Sequence, residues 1–106
     1  TILQSRVDIK IIILNNRFLG MVRQWQQLFF EKRYSFTEMI SPDFVALSKA
    51  YSIEAKKVEA REDLKTSLLE MLNHQGSYLL EVMVAKEENV FPMITTGASV
   101  SEIRLN

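Results

Sequence analysis

Residues 9–14 are apolar at all but one position and mostly β-branched, a pattern that predicts a strand covered on both faces and therefore part of a parallel sheet. Beyond residue 18 the period changes. Met21, Val22, Trp25, Leu28 and Phe29 recur at helical spacing, with Arg23, Gln24, Gln26 and Gln27 between them, which predicts a helix over 19–30 whose apolar stripe is buried. Residues 31–40 carry no clear period and read as a loop. Ser41-Pro42 predicts a helix N-cap followed by proline in the first turn, with Phe44, Leu47 and Tyr51 as the buried stripe. Residues 52–58 read as a short strand. Glu62 and Asp63 place negative charge at the start of a further helix, with Leu64, Leu68, Met71 and Leu72 as its stripe, His74 near its end and Gly76 beyond it. Residues 78–84 form the last strand, and Glu81 in its middle predicts a less buried face. From residue 85 the pattern weakens.

Strands alternating with helices predict an α/β fold, a three-layer and mostly parallel sheet with right-handed crossovers. Three strands make an incomplete sheet, so residues 1–106 are expected to be the C-terminal part of one larger domain, with 85–106 as a distinct tail. Composition changes this picture little. Across 106 residues, 47% hydrophobic and 25% charged is the balance of a soluble globular chain. Thirteen Lys and Arg offset thirteen Asp and Glu, so there is no field to draw in nucleic acid or an anionic membrane, and neither partner is expected. The absence of cysteine excludes disulfides, thiolate metal sites and cysteine nucleophiles. The longest unbroken apolar run, 11–14, is far too short to span a bilayer.

Asn15 and Asn16 fall at the carboxyl end of the first strand, where open α/β sheets bind ligands. An amide oxygen is a hard, neutral donor suited to Mg²⁺. Gly20 lets the backbone approach a ligand at a helix start, where N–H groups attract phosphate. Each feature has a plainer reading: the asparagines cap a turn, and Met21, Val22 and Trp25 are core. His74 has no second ligand at metal spacing and reads as a solvated residue near a helix C-terminus. Glu81 reads as an edge or solvent-facing carboxylate, and Glu87-Glu88 as a solvated pair. Phe29, Phe30 and Tyr34 predict some bare aromatic surface.

The residue strings say more than their spacing. "KIIILNN", "FLGMVRQWQ", "EKRYS", "PDFVALSKAY", "EENVFPM" and "TGAS" together resemble the acetohydroxyacid synthase (acetolactate synthase) catalytic, or large, subunit from about residue 8 to residue 103. The resemblance implies the C-terminal part of a thiamine-diphosphate-binding domain. It assigns Asn16 to Mg²⁺ through its side chain and Phe18 through its backbone carbonyl. It sets Asn16, Gly20 and Met21 against the cofactor, and Val22 and Trp25 along the substrate channel, with Trp25 favouring the larger of two competing 2-keto acids. The family's metal-binding Gly-Asp-Gly would precede Thr1, and the glutamate that activates the cofactor belongs to a second catalytic subunit, so no catalytic residue is assigned here. The tail resembles the family's active-site lid, with Thr95 where proline is common and Ser101 where aspartate is common.

The activity implied is Mg²⁺- and thiamine-diphosphate-dependent decarboxylation of pyruvate and its condensation with pyruvate or 2-oxobutanoate, leading to valine, leucine and isoleucine. A cytoplasmic location, inactivity of these residues alone and assembly into a dimer or tetramer go with it. FAD on another domain and a regulatory small subunit are left open. The competing readings are another thiamine-diphosphate-dependent 2-keto acid enzyme and a non-catalytic α/β assembly module.

Overall fold

The computed structural model describes all residues, Thr1–Asn106. The chain runs through α1 (Ile2–Ser5), β1 (Lys10–Asn15), α2 (Gly20–Phe29), α3 (Phe44–Ala50), β2 (Glu54–Val58), a 3₁₀ turn (Arg61–Asp63), α4 (Leu64–Asn73) and β3 (Tyr78–Met83). It divides into two compact units, the first Thr1–Arg17 with Ile40–Ala85, the second Phe18–Met39 with Lys86–Asn106.

In the first unit the three strands form one sheet in the order β1-β3-β2, and both pairings are parallel. The chain passes from β1 across to β2 and returns through α4 to the centre. Right-handed connections in those opposite directions put α3 and α4 on opposite faces. Each packs on β2 and β3, giving the three layers expected. As the central strand, β3 is buried from Tyr78 to Val82. Its side chains Tyr78, Leu80 and Val82 point to one face, where they form the core with Val58 and Met71, and Leu64 and Leu68 pack against it. At the other end of the sheet the Lys10 ammonium donates to the His74 carbonyl at 2.7 Å and also to that of Gly76. A cation there meets the negative end of α4.

Several expectations need correction. β1 is not covered on both faces: it is an outer strand, and Leu14 is 68% exposed because α4 sits over β2 and β3. Glu81 is the reverse case, a residue of the central strand only 5% exposed rather than an edge or solvent-facing carboxylate. Asp43, not Ser41, caps α3, its carboxylate accepting from the Ala46 N–H at 2.9 Å, so Pro42 precedes the cap. The buried side of α3 turns with it, to Ser48, leaving Leu47 and Tyr51 exposed, and on α4 Leu72 is exposed while Ser67 is buried. α1, a single turn, was too short to show a period. Gly76 lies beyond the end of α4 with φ +93°, a conformation that glycine adopts without strain.

Tyr78 makes the first testable point. Burial, then the charge and hydrogen bond of Glu70, push its phenol up to about 12. A phenol that ionises near 10 when unfolded and near 12 when folded contributes stability that is intact below pH 10 and lost as pH rises towards 12. Melting curves at pH 8 and pH 11 should therefore show a larger alkaline loss in the wild type than in Tyr78→Phe.

The second unit is built around α2. Before it, Leu19 donates its N–H to the Thr37 carbonyl at 2.8 Å, and Phe18 bridges Glu38 in antiparallel fashion. The Gln26 amide holds Ser35 by both of its backbone groups, fixing the loop that follows the helix. In the tail, Met93 and Arg104 exchange backbone hydrogen bonds at 2.9 and 2.8 Å, closing the segment between them.

The buried side of α2 also departs from expectation. Arg23 and Gln24, assigned to the polar outer face, are 0% and 1% exposed, whereas Met21 is 54% exposed and Val22 is exposed with it. Hydrogen bonding is the reason. Gln24 donates to the Val90 carbonyl at 3.1 Å and to Met93 Sδ at 3.0 Å, and accepts from the Val90 N–H at 2.8 Å. Arg23 donates to Gln27 Oε1 at 2.7 Å, to the Glu88 carbonyl at 3.2 Å and to Asn89 Oδ1 at 2.6 Å. Buried polar groups are tolerable when so paired; Arg23 Nε alone lacks a partner. The tail thus occupies the polar side of the helix and leaves the apolar row open.

Candidate functional site

β1 ends in the turn that the sequence singled out, and the two asparagines there do different things. Asn15 is buried. Its Nδ2 donates to Glu81 Oε1 at 2.7 Å, and its Oδ1 accepts the Arg17 N–H at 2.9 Å. Arg17 has φ +57°, a left-handed conformation costly for a side chain other than glycine, and the Asn15 amide oxygen compensates it locally. Asn15 therefore has the plainer role, capping a turn. Both ends of its amide are committed within the protein; Asn16, half-buried, lies just past the strand. Nearby at the end of β2, the Lys57 ammonium holds the Glu59 carboxyl below the usual carboxylate range, first by a hydrogen bond and then by charge, with a smaller contribution from Arg17.

On α2 the other predicted residues fall in one row. Gly20 opens the helix; Met21 and Val22 follow in the first turn, and Trp25 lies four and three residues on, so the three large side chains share a side. Trp25 is half-buried and stacks obliquely on Phe29, ring centroids 4.8 Å apart, and the Arg104 guanidinium lies 5.9 Å over the Phe29 ring. Half-buried Phe18 precedes the helix by two residues.

Two observations test whether this chain suits a Mg²⁺-bound diphosphate. Leu19 has no side-chain oxygen with which to cap α2, and no acidic residue stands in its first turn, so the positive end of a ten-residue helix is not neutralised by a side chain. That is the electrostatic condition a phosphate needs. No group of three or more His, Cys, Asp or Glu assembles anywhere in the chain. The side-chain amide oxygen of Asn16 and the backbone carbonyl of Phe18 are hard oxygens of the type Mg²⁺ takes. The residues fit the group.

With this geometry in view, the comparisons with known proteins define the class. The chain belongs to the family described as "Thiamine pyrophosphate enzyme, C-terminal TPP binding domain", which matches residues 1–82. Within that class it is 45% identical over all 106 residues to the mitochondrial acetolactate synthase of Schizosaccharomyces pombe, covering 16% of that protein. It is 43% identical over 104 residues to the large subunit of acetolactate synthase isozyme 2 of Escherichia coli, covering 97% of this chain and 19% of that one. The sequence-level resemblance to acetolactate synthase is upheld along the whole chain, which spans less than a fifth of the length of these relatives. Among solved structures, benzoylformate decarboxylase from Polynucleobacter necessarius matches 81% of the chain, 16% of that protein, at a TM-score of 0.68 and 28% identity. The 4-hydroxybenzoylformate decarboxylase of Rhodococcus jostii gives 0.69 and 27%, with the same coverage of each chain.

Glu81, Arg23 and Gln24 are what the sequence reading missed. Charge at a helix or strand position is ordinarily a mark of solvent, and nothing in the local pattern signals that these side chains face Asn15 or the tail.

Proposed function

We propose that this chain is part of the catalytic subunit of an acetolactate synthase, an enzyme that joins pyruvate to a second 2-keto acid, either pyruvate or 2-oxobutanoate, at the start of branched-chain amino acid synthesis. The observation that carries this is the identity to acetolactate synthases over the full length of the chain, alongside a helix, α2, whose positive end no side chain caps. When bound, thiamine diphosphate supplies the electron sink for decarboxylation and carbon–carbon bond formation. The chain's own part is placement. Asn16, through its side-chain oxygen, and Phe18, through its carbonyl, are the metal ligands; Gly20 and Met21 lie against the cofactor; Val22 and Trp25 line the approach of the keto acids. The tail, 85–106, acts as the lid over that approach.

The likeness to two decarboxylases supports a shared cofactor domain, while the higher identity to the synthases favours condensation as the outcome. No helix of the structure is long and apolar enough to cross a membrane. The proposed compartment is the cytoplasm; the relatives from S. pombe and Saccharomyces cerevisiae carry a mitochondrial designation. A second catalytic subunit supplying the activating glutamate is part of the proposal, and FAD on another domain and a regulatory subunit accord with it.

Cofactor response tests it. Thiamine diphosphate at 100 times its dissociation constant should stabilise the complete subunit by about 2.7 kcal/mol, seen as a raised melting temperature. Chelating Mg²⁺ should abolish that rise. A rise that is independent of Mg²⁺, or none at all, counts against the reading.

A further inference from the structure

Glu81 has no role in what has been described so far. A carboxylate buried in the central strand of a sheet is costly unless hydrogen-bonded, and the residues that share its face of the strand, Leu79 and Met83, are apolar. Its place in the network suggests why it is kept. Glu81 Oε1 accepts from the Nδ2 end of the Asn15 amide, and that orientation turns Oδ1 to the Arg17 N–H. An apolar residue at 81 would leave Nδ2 buried without an acceptor, and the amide could regain one only by turning away from its present place. The left-handed turn at Arg17 would then lose its acceptor. The backbone on the other side of the turn is already fixed, since the Val84 N–H donates to the Asn15 carbonyl at 3.1 Å.

We propose that Glu81 is a positioning residue for the metal-binding turn: by fixing the Asn15 amide it holds Arg17 left-handed and so sets the backbone of Asn16, which lies between them. This rests on the reading of Asn16 and Phe18 as metal ligands. It predicts that Glu81 affects Mg²⁺ binding through Asn15 and in no other way.

The experiment is a double-mutant cycle in the complete subunit, with the Mg²⁺ dissociation constant measured by calorimetry at saturating thiamine diphosphate. Glu81→Leu should weaken Mg²⁺ about 10-fold, the lower end of what losing a partner behind a metal ligand costs. Asn15→Ala should weaken it similarly, and the double variant should be no weaker than either single one, because both break the same relay. Glu81→Gln, whose amide oxygen still accepts from Asn15, should recover most of the loss. The Michaelis constant for pyruvate at saturating Mg²⁺ should not move. Additive losses, or a Glu81→Leu protein with unchanged Mg²⁺ affinity, overturn the inference. Should Glu81→Leu not fold, Asn15→Ala alone decides, since unchanged affinity there is equally fatal. Asn16→Ala separates the two levels. If it weakens Mg²⁺ while the relay variants do not, only the positioning role fails; if it has no effect, the ligand reading fails and takes the positioning role with it.

Discussion

Replacing Asn16 with alanine in the complete subunit is expected to weaken Mg²⁺ binding by at least about 100-fold, beyond the 10–100-fold that loss of a supporting partner costs a metal site. The expectation follows from the division of labour in the turn. Asn15 is engaged at both ends of its amide and cannot turn to a metal without releasing Glu81 and Arg17. Both of those hydrogen bonds belong to Asn15 and stay in place when Asn16 is replaced. Calorimetric titration of Mg²⁺ at saturating thiamine diphosphate reads the affinity directly. Activity should fall in parallel and recover only in part at high Mg²⁺.

Trp25→Leu is the second large effect, on choice of acceptor rather than on binding of the cofactor. Pyruvate and 2-oxobutanoate differ by one methylene, and a hydrophobic contact discriminates one methylene by about 10–200-fold. The Trp25 ring packs on Phe29, over which the Arg104 guanidinium lies. Leucine would remove the flat surface that the longer acceptor packs against. The ratio of 2-aceto-2-hydroxybutanoate to 2-acetolactate, formed from an equal mixture of acceptors, should fall at least about 10-fold, with total turnover less affected. An unchanged ratio would remove Trp25 from the channel.

The layering of the sheet was legible in the chain because burial on two faces leaves a nearly continuous apolar run, broken in β3 only by Glu81, and a right-handed crossover then fixes where α3 and α4 go. Where the reading failed, a polar side chain was working inside the fold. Arg23 and Gln24 look like solvent positions because periodicity weighs hydrophobicity alone; it does not register that the tail, 65 to 69 residues away, needs hydrogen-bond partners. Glu81 misled for the same reason, since its partner Asn15 is 66 residues distant. β1 erred in the opposite direction. Its residues have the composition of a covered strand, but no cover lies over Ile12 and Leu14 in this chain, and both are exposed. Of the candidate site, the residue strings carried the identity of the family, while the capping role of Asn15 needed the hydrogen bonds.

The most direct test of the central proposal is to follow the products of ¹³C-labelled pyruvate by NMR, using the complete subunit with thiamine diphosphate and Mg²⁺. Acetolactate and carbon dioxide should appear in equal amounts, with formation stopped by removal of either cofactor. Release of free acetaldehyde as the main product would instead make the protein a decarboxylase that shares the fold, and no consumption of pyruvate under any cofactor condition would contradict the synthase reading outright.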